Sequence, residues 1–179
     1  MREYTVRSTR TKTESAARRA ADIAVVLLLC AALVVFIFKV LLIPFGVIEP
    51  GVFELSQGDT VLVDRVSRYV SDYSLGDIVR AETSGGEGFY RVAALGGSTY
   101  LVRNGKAYLN GAFVDESGYS SGWPEGRDMF ISVPDEGILL LPDDRTGIGS
   151  LEGWSIPYNS VYGEVRMRIS PIRKLAIFY

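Results

Sequence analysis

Histidine is absent from all 179 residues, and cysteine occurs once, at Cys30. Without histidine the chain has neither a Ser/His/Asp triad nor a Cys/His pair, which excludes the histidine-dependent hydrolases. Zinc also loses its usual nitrogen ligand. The lone cysteine lies in an apolar run, forms no internal disulfide, and is interpreted as a small hydrophobe. The composition therefore predicts no metal and no cofactor.

Lysine is scarce, since the chain has only Lys12, Lys39, Lys106 and Lys174, and charge is unevenly distributed. Six basic and two acidic residues give segment 1–19 a charge of +4, whereas residues 44–179 carry −6 within a net charge of −2. A nucleic-acid-binding face needs a basic surface, so an acidic C-terminal region predicts no nucleic-acid partner.

A long apolar run covers residues 23–42 and contains a single charge, Lys39. Twenty helical residues span about 30 Å, the thickness of a bilayer core. Lys39 lies near the end of the run, where its ammonium can snorkel to the interface. A cleavable signal peptide has a shorter apolar core and a small-x-small site, so we expect an uncleaved anchor. The basic N-terminal flank places residues 1–19 in the cytoplasm and the C-terminal region outside the plasma membrane.

Three segments follow from this pattern: a basic cytoplasmic segment at 1–19, expected to be disordered, a transmembrane anchor at 20–43, and an extracytoplasmic domain at 44–179. After residue 43 there is no helical period, and short β-rich runs such as "TVLVDRV" and "GFYRVAAL" alternate with glycine-rich turns. Asn104-Gly105 predicts a type I′ hairpin. Residues 115–128 are predicted to be a surface loop. The fold class expected is an all-β ectodomain of antiparallel sheets or a barrel, behind one transmembrane helix.

Four motifs occur in a fixed order within residues 20–170. They are "GVIEP" followed by "QGDTVLVDR", then "LGDIVRAE", then "YRVAALGGSTYLVRNGKAYLNG", and finally "LPDDRTGIGSLEGWSIPYNSVYGEV". Together, behind an N-terminal anchor, they resemble the type I signal peptidases, membrane-anchored serine endopeptidases that cut signal peptides. The resemblance implies a β-rich domain on the membrane with an extended groove for substrate, a serine nucleophile and a lysine base.

The two catalytic positions implied by the resemblance hold other residues. The nucleophile position is Val47, which has no nucleophilic atom, and the base position is Tyr90, whose phenol is a poor base at neutral pH. Of the last motif, Asp143 and Arg145 match the family. This pattern predicts a catalytically inactive member.

A relocated dyad is the alternative, and it makes the chain an active serine endopeptidase. Ser56 lies in a stretch three residues longer than the family spacing, and Lys106 is the fallback base, although a lysine next to a hairpin turn is usually just exposed. The aspartates of the Gly-Asp pairs are interpreted as turn residues.

The groove expected to survive lies beside the former catalytic positions and accepts an extended segment by strand pairing. The candidate groove residues are Gly46, Val47, Ile48, Pro50, Phe89, Tyr90 and Arg91. Inactive signal-peptidase-like proteins act as accessory factors in pilus assembly, so the resemblance implies an exported protein or pilin segment as partner, besides the membrane. A structural anchor without substrate is a second alternative.

Overall fold

The computed structural model describes residues 3–37, 41–70 and 73–178, and it forms two units, 1–41 and 42–179. The first unit holds one helix, α1 (Glu3–Phe36). Its stretch Arg18–Phe36, with a mean hydropathy of 2.4, is long and apolar enough to cross a membrane. The helix runs through the basic flank, so the expectation of a disordered flank is wrong. Lys39, predicted to snorkel, lies outside the described residues.

The second unit is built from antiparallel strands, which confirms the all-β fold class. One short α-helix, α2 (Ser67–Val70), and two 3-10 helices, Tyr158–Ser160 and Ile172–Lys174, also occur among its described residues. The strands are β1 (Leu42–Gly46), β2 (Thr60–Asp64), β3 (Ile78–Thr83), β4 (Gly86–Leu95), β5 (Thr99–Arg103), β6 (Lys106–Leu109), β7 (Ala112–Val114), β8 (Met129–Ser132), β9 (Gly137–Leu141), β10 (Ser155–Pro157), β11 (Val161–Ser170) and β12 (Ala176–Ile177).

The larger sheet has the strand order β1-β2-β11-β3-β4-β9-β10, with β12 paired to β11. The long strand β11 pairs with both β2 and β3, and bulges interrupt its register. At Gly163, φ is +156° and a Cβ atom would lie 2.3 Å from the Asp64 carbonyl oxygen, so only glycine fits there. Such bulges bend a sheet and increase its twist.

The smaller sheet has the order β7-β6-β5-β8. Asn104 and Gly105 have φ values of 51° and 71°, and Arg103 pairs with Lys106 across them. This is the hairpin turn that the Asn-Gly pair predicts. A second pair, Asn110 and Gly111, turns the chain from β6 into β7 in the same way.

The sequence Ser-x-Gly-Asp builds the same turn twice. The Asp59 amide donates to the Ser56 carbonyl at 3.0 Å, and the Asp59 carboxylate accepts from the Ser56 amide at 2.9 Å. Asp77 and Ser74 repeat both bonds at 3.2 and 2.7 Å. The glycine between them has positive φ, as the third position of a type II turn requires. These aspartates therefore shape turns, as the sequence predicts.

Strand β9 lies at the centre of the packing. All five of its residues are buried. Ile138 and Leu140 join a core with β3 and β4, whereas Leu139 and Leu141 join a second core shared with the smaller sheet. A strand covered on both faces is a continuous apolar run, which explains "GILLL".

Candidate functional site

Val47, which the family resemblance aligns with the nucleophile, faces the protein interior. It follows β1 directly, its amide donates to the Asp59 carbonyl at 2.8 Å, and its carbonyl accepts from the Gly58 amide at 2.9 Å. These bonds close the loop of residues 47–59, hereafter the 47–59 loop. The Val47 side chain is 2% exposed and packs in a core cluster that includes Val61 and Phe89. The position supplies packing and presents no reactive atom to solvent.

Tyr90, which the family resemblance aligns with the lysine base, lies on β4 with its ring largely buried. Its hydroxyl donates to the Gly86 carbonyl at 2.8 Å. Burial raises the pKa of the Tyr90 phenol above its ordinary value. A hydrogen bond with Thr83 lowers this pKa by less than burial raises it, and the charge of Glu49 adds a smaller increase. A phenol held in its protonated form does not accept a proton from a substrate at neutral pH.

Arg91 and Asp143 fix the 47–59 loop against β4. The Arg91 guanidinium donates to both carboxylate oxygens of Asp143, at 2.8 and 2.9 Å, and to Glu54 Oε2 at 2.5 Å. The Phe53 amide donates to Asp143 Oδ2 at 2.9 Å. Burial alone would lower the pKa of Arg91, but the hydrogen bonds and charges of Asp143 and Glu54 outweigh it, so its pKa is raised and it stays a cation. Asp143 therefore holds the site together from a fully buried position.

Arg145, the other matching residue of the last motif, is also fully buried and anchors a second polar network. Its Nη2 donates to Glu116 Oε1 at 3.2 Å, and its guanidinium lies 5.5 Å from the Trp123 ring centroid. Glu116 also accepts from the Tyr100 hydroxyl at 2.9 Å and from Trp123 Nε1 at 3.0 Å. Glu116 and Trp123 are buried, so the prediction that residues 115–128 form only a surface loop is wrong for these two.

The seven candidate groove residues separate into two sets. Gly46, Ile48 and Pro50 are exposed, and Ile48 is 76% exposed. Val47, Phe89, Tyr90 and Arg91 are buried. The expectation of an open groove lined by Val47 and Phe89 is therefore wrong, because both side chains belong to the same core cluster. Only the exposed set is fully available to a partner.

A recess does exist beside Tyr90. It has a volume of about 200 Å³, and we call it the Tyr90 recess. Its walls are formed by residues 49–51 of the loop and by Gly85, Glu87, Gly88, Tyr90, Pro142 and Trp154. The Tyr90 and Trp154 rings meet edge to face, with centroids 5.8 Å apart. Glycines permit the close packing, since a Cβ atom at Gly51 would lie 2.0 Å from the Phe89 carbonyl oxygen.

The lysine beside Ser56 is Lys174 rather than the predicted Lys106. Lys174 Nζ donates to Ser56 Oγ at 3.3 Å. Lys174 is exposed in the turn Ile172–Lys174. Lys106 begins β6 in the smaller sheet. A Ser/Lys pair needs a desolvated, neutral lysine that accepts the serine proton, and the exposed Lys174 lacks the burial that this requires.

Sequence reasoning missed three residues that shape the site: Glu49, Glu116 and Trp154. Trp154 follows a Gly-rich segment that carries no strand signal, and it reaches the recess only because β10 adds to β9. Glu116 lies in a Ser/Gly-rich stretch that has the composition of a solvated loop. No group of three or more potential metal ligands occurs within the described ranges.

Comparison with known proteins gives a consistent result. Residues 17–146 match the family described as "Signal peptidase, peptidase S26". The "Probable signal peptidase I-1" of Synechocystis sp. is 29% identical over 157 residues, covering 78% of this chain and 80% of the relative. The signal peptidase I of Bacillus amyloliquefaciens is 26% identical over 129 residues, covering 69% and 68%.

Among solved structures, signal peptidase I from Enterococcus faecalis is similar at 18% sequence identity and a TM-score of 0.42, over 52% of this chain and 96% of that one. The family match spans well over half of the sequence and includes the Val47 and Tyr90 positions. The chain therefore belongs to the signal peptidase family, peptidase S26.

Proposed function

We propose that this chain is a membrane-anchored signal-peptidase-like protein that binds a segment of an exported protein without hydrolysing it. The observation that carries the proposal is the pair of replacements at the catalytic positions. Val47 is packed in a core cluster, and the Tyr90 hydroxyl is engaged with the Gly86 carbonyl. Loss of the nucleophile or the base of a serine protease typically lowers turnover by about a millionfold.

An exposed surface for binding a peptide segment lies next to the 47–59 loop. Strand β1 is at one end of the larger sheet, and within the described residues only β2 pairs with it. An exposed edge can take up an extended segment as an added strand. Ile48 follows β1 in the chain and offers an exposed apolar side chain to such a segment. The segment would come from an exported protein, with a pilin as one such partner in an accessory role in pilus assembly.

The test uses full-length protein in liposomes with a fluorogenic signal-peptide substrate and a pilin-derived peptide. We expect no cleavage above that of empty liposomes, together with saturable binding measured by fluorescence anisotropy. Replacing Ile48→Asp should weaken binding about tenfold, the equivalent of about 1.4 kcal/mol, because an apolar contact is lost. Phe130→Asp is the control, since Phe130 is similarly exposed on the smaller sheet.

A second candidate function is hydrolysis by a relocated serine, favoured by the 3.3 Å contact between Lys174 Nζ and Ser56 Oγ. It requires turnover that disappears in both Ser56→Ala and Lys174→Met. That result would overturn the non-catalytic proposal. Absence of both turnover and peptide binding would instead support a structural anchor without substrate.

A further inference from the structure

The Tyr90 recess has walls of a distinct chemical kind. Two aromatic rings, those of Tyr90 and Trp154, stand edge to face on one side. The Tyr90 hydroxyl is already bonded to the Gly86 carbonyl, so Tyr90 contributes its ring to the recess rather than a free hydroxyl. Glycine backbone forms much of the floor. At Gly85 a Cβ atom would lie 2.6 Å from Trp154 Cη2, so glycine there allows the indole to approach the recess closely.

The charge at the rim is negative. Glu49 and Glu87 both line the recess, and no arginine or lysine among the described residues does. Glu87 is already paired with Arg80, whose Nη2 lies 2.5 Å from Glu87 Oε1. Arg80 is further held over the Phe45 ring at 3.8 Å. Glu49 is exposed and has no ion pair within the described part of the chain, so it leaves one uncompensated carboxylate beside two aromatic rings.

The volume of the Tyr90 recess limits which side chains can fit into it. The recess has a volume of about 200 Å³, whereas one water molecule needs about 10–15 Å³ on the same measure. This is the scale of a single long side chain. Aromatic rings attract cations through their quadrupole, and a carboxylate at the rim adds direct attraction. A lysine or arginine side chain, with an apolar stem and a cationic head, matches both features.

We propose that the Tyr90 recess binds a lysine or arginine side chain of the exported segment, with its stem against Tyr90 and Trp154 and its charge near Glu49. The inference rests on the proposed peptide-binding function and assigns it a preference for basic side chains. Tyr90, which the family resemblance aligns with the lysine base, would thus contact a cationic side chain of the bound segment.

The test uses two short fluorescein-labelled peptides of alanine and serine that differ only in a central lysine or norleucine. Full-length protein in liposomes is titrated at low ionic strength, and anisotropy gives the two Kd values. We expect the lysine peptide to bind about fivefold more tightly. In Glu49→Gln this ratio should fall towards one while the norleucine Kd is unchanged. Glu125→Gln, at an exposed glutamate of another segment, should leave the ratio as in the wild type.

Three other results are possible, and each would overturn one specific part of the proposal. Equal Kd values for the two peptides in the wild-type protein would overturn the basic preference and leave peptide binding intact. A lysine preference that persists in Glu49→Gln would overturn the assignment to this recess. Failure of both peptides to bind would overturn the proposed function together with the inference.

Discussion

Tyr90 holds its phenol in surroundings that oppose ionisation. Burial is the main cause and the charge of Glu49 adds to it, so the pKa of Tyr90 is raised. A raised folded-state pKa stabilises the fold fully below the unfolded-state pKa of about 10. That stabilisation is lost as the pH rises through the folded-state pKa, because the unfolded chain ionises first.

Tyr90→Phe tests this linkage. At pH 8 we expect the variant to be less stable by about 0.5–1.5 kcal/mol, because the Gly86 carbonyl loses its donor. Above pH 10 the difference should shrink, since the variant has no phenol to ionise. Urea unfolding of the full-length protein at several pH values measures both. Tyr69→Phe, at a 75% exposed tyrosine, is the control. A difference that is constant with pH would contradict the assigned cause.

For single residues, the sequence predicts which residue stands at a family position better than it predicts what that residue contacts in the fold. The motif order indicates that Val47 and Tyr90 occupy the catalytic positions, but not that Val47 turns into the core. Its burial depends on β2 and β4, which follow it in the chain. Likewise, Arg91 and Asp143 lie 52 residues apart in sequence, and only the pairing of β4 with β9 brings them together.

At the scale of elements, the 47–59 loop is held tightly on its neighbours. The Asp143 amide donates to the Gly51 carbonyl at 2.7 Å, and Gly51 lies directly against the Phe89 carbonyl. A side chain at residue 51 would push the loop away from β4. The loop is therefore a packed element whose position depends on one glycine.

Gly51→Ala should lower the free energy of unfolding by about 1–3 kcal/mol, the usual range for overpacking. Gly46→Ala is the matched control, because a Cβ atom there meets nothing within 4 Å, and we expect a change within about 0.5 kcal/mol. Urea unfolding followed by tryptophan fluorescence gives both values. Equal stability of the two variants would show that the 47–59 loop can move to accommodate the added methyl group without a loss of stability.

Elements with local signals are predictable and those without are not. The Asn104-Gly105 hairpin and both Ser-x-Gly-Asp turns follow from residues adjacent in sequence, because positive φ is a local requirement. Strand β10 is three residues long and forms only by pairing with β9. It is too short to show the alternation of apolar and polar residues that predicts a strand. The Tyr90 recess depends on β10 and is equally invisible in the sequence.

At the scale of the molecule, the helix and the β unit belong to different surroundings. The stretch Arg18–Phe36 can cross a bilayer, and the family is membrane-associated. The positive charge of residues 1–19 leads us to propose that this end is cytoplasmic.

Cysteine labelling tests this orientation. In a Cys30→Ser background, a membrane-impermeant maleimide added to intact cells should label Ser117→Cys and should label Ser8→Cys only after lysis. Ser117 is exposed on the β unit, so its reaction does not require unfolding. Labelling of Ser8→Cys in intact cells would reverse the proposed topology.

Strand β9 has a consequence for how the β unit comes apart. Ile138 and Leu140 belong to one core and Leu139 and Leu141 to the other, so neither core can open while the other keeps β9 in place. We therefore expect the two sheets to unfold in one cooperative transition. The amide hydrogens of β9 should exchange with solvent only when the whole β unit unfolds, so the slowest-exchanging protons of the β unit should be those between Gly137 and Leu141.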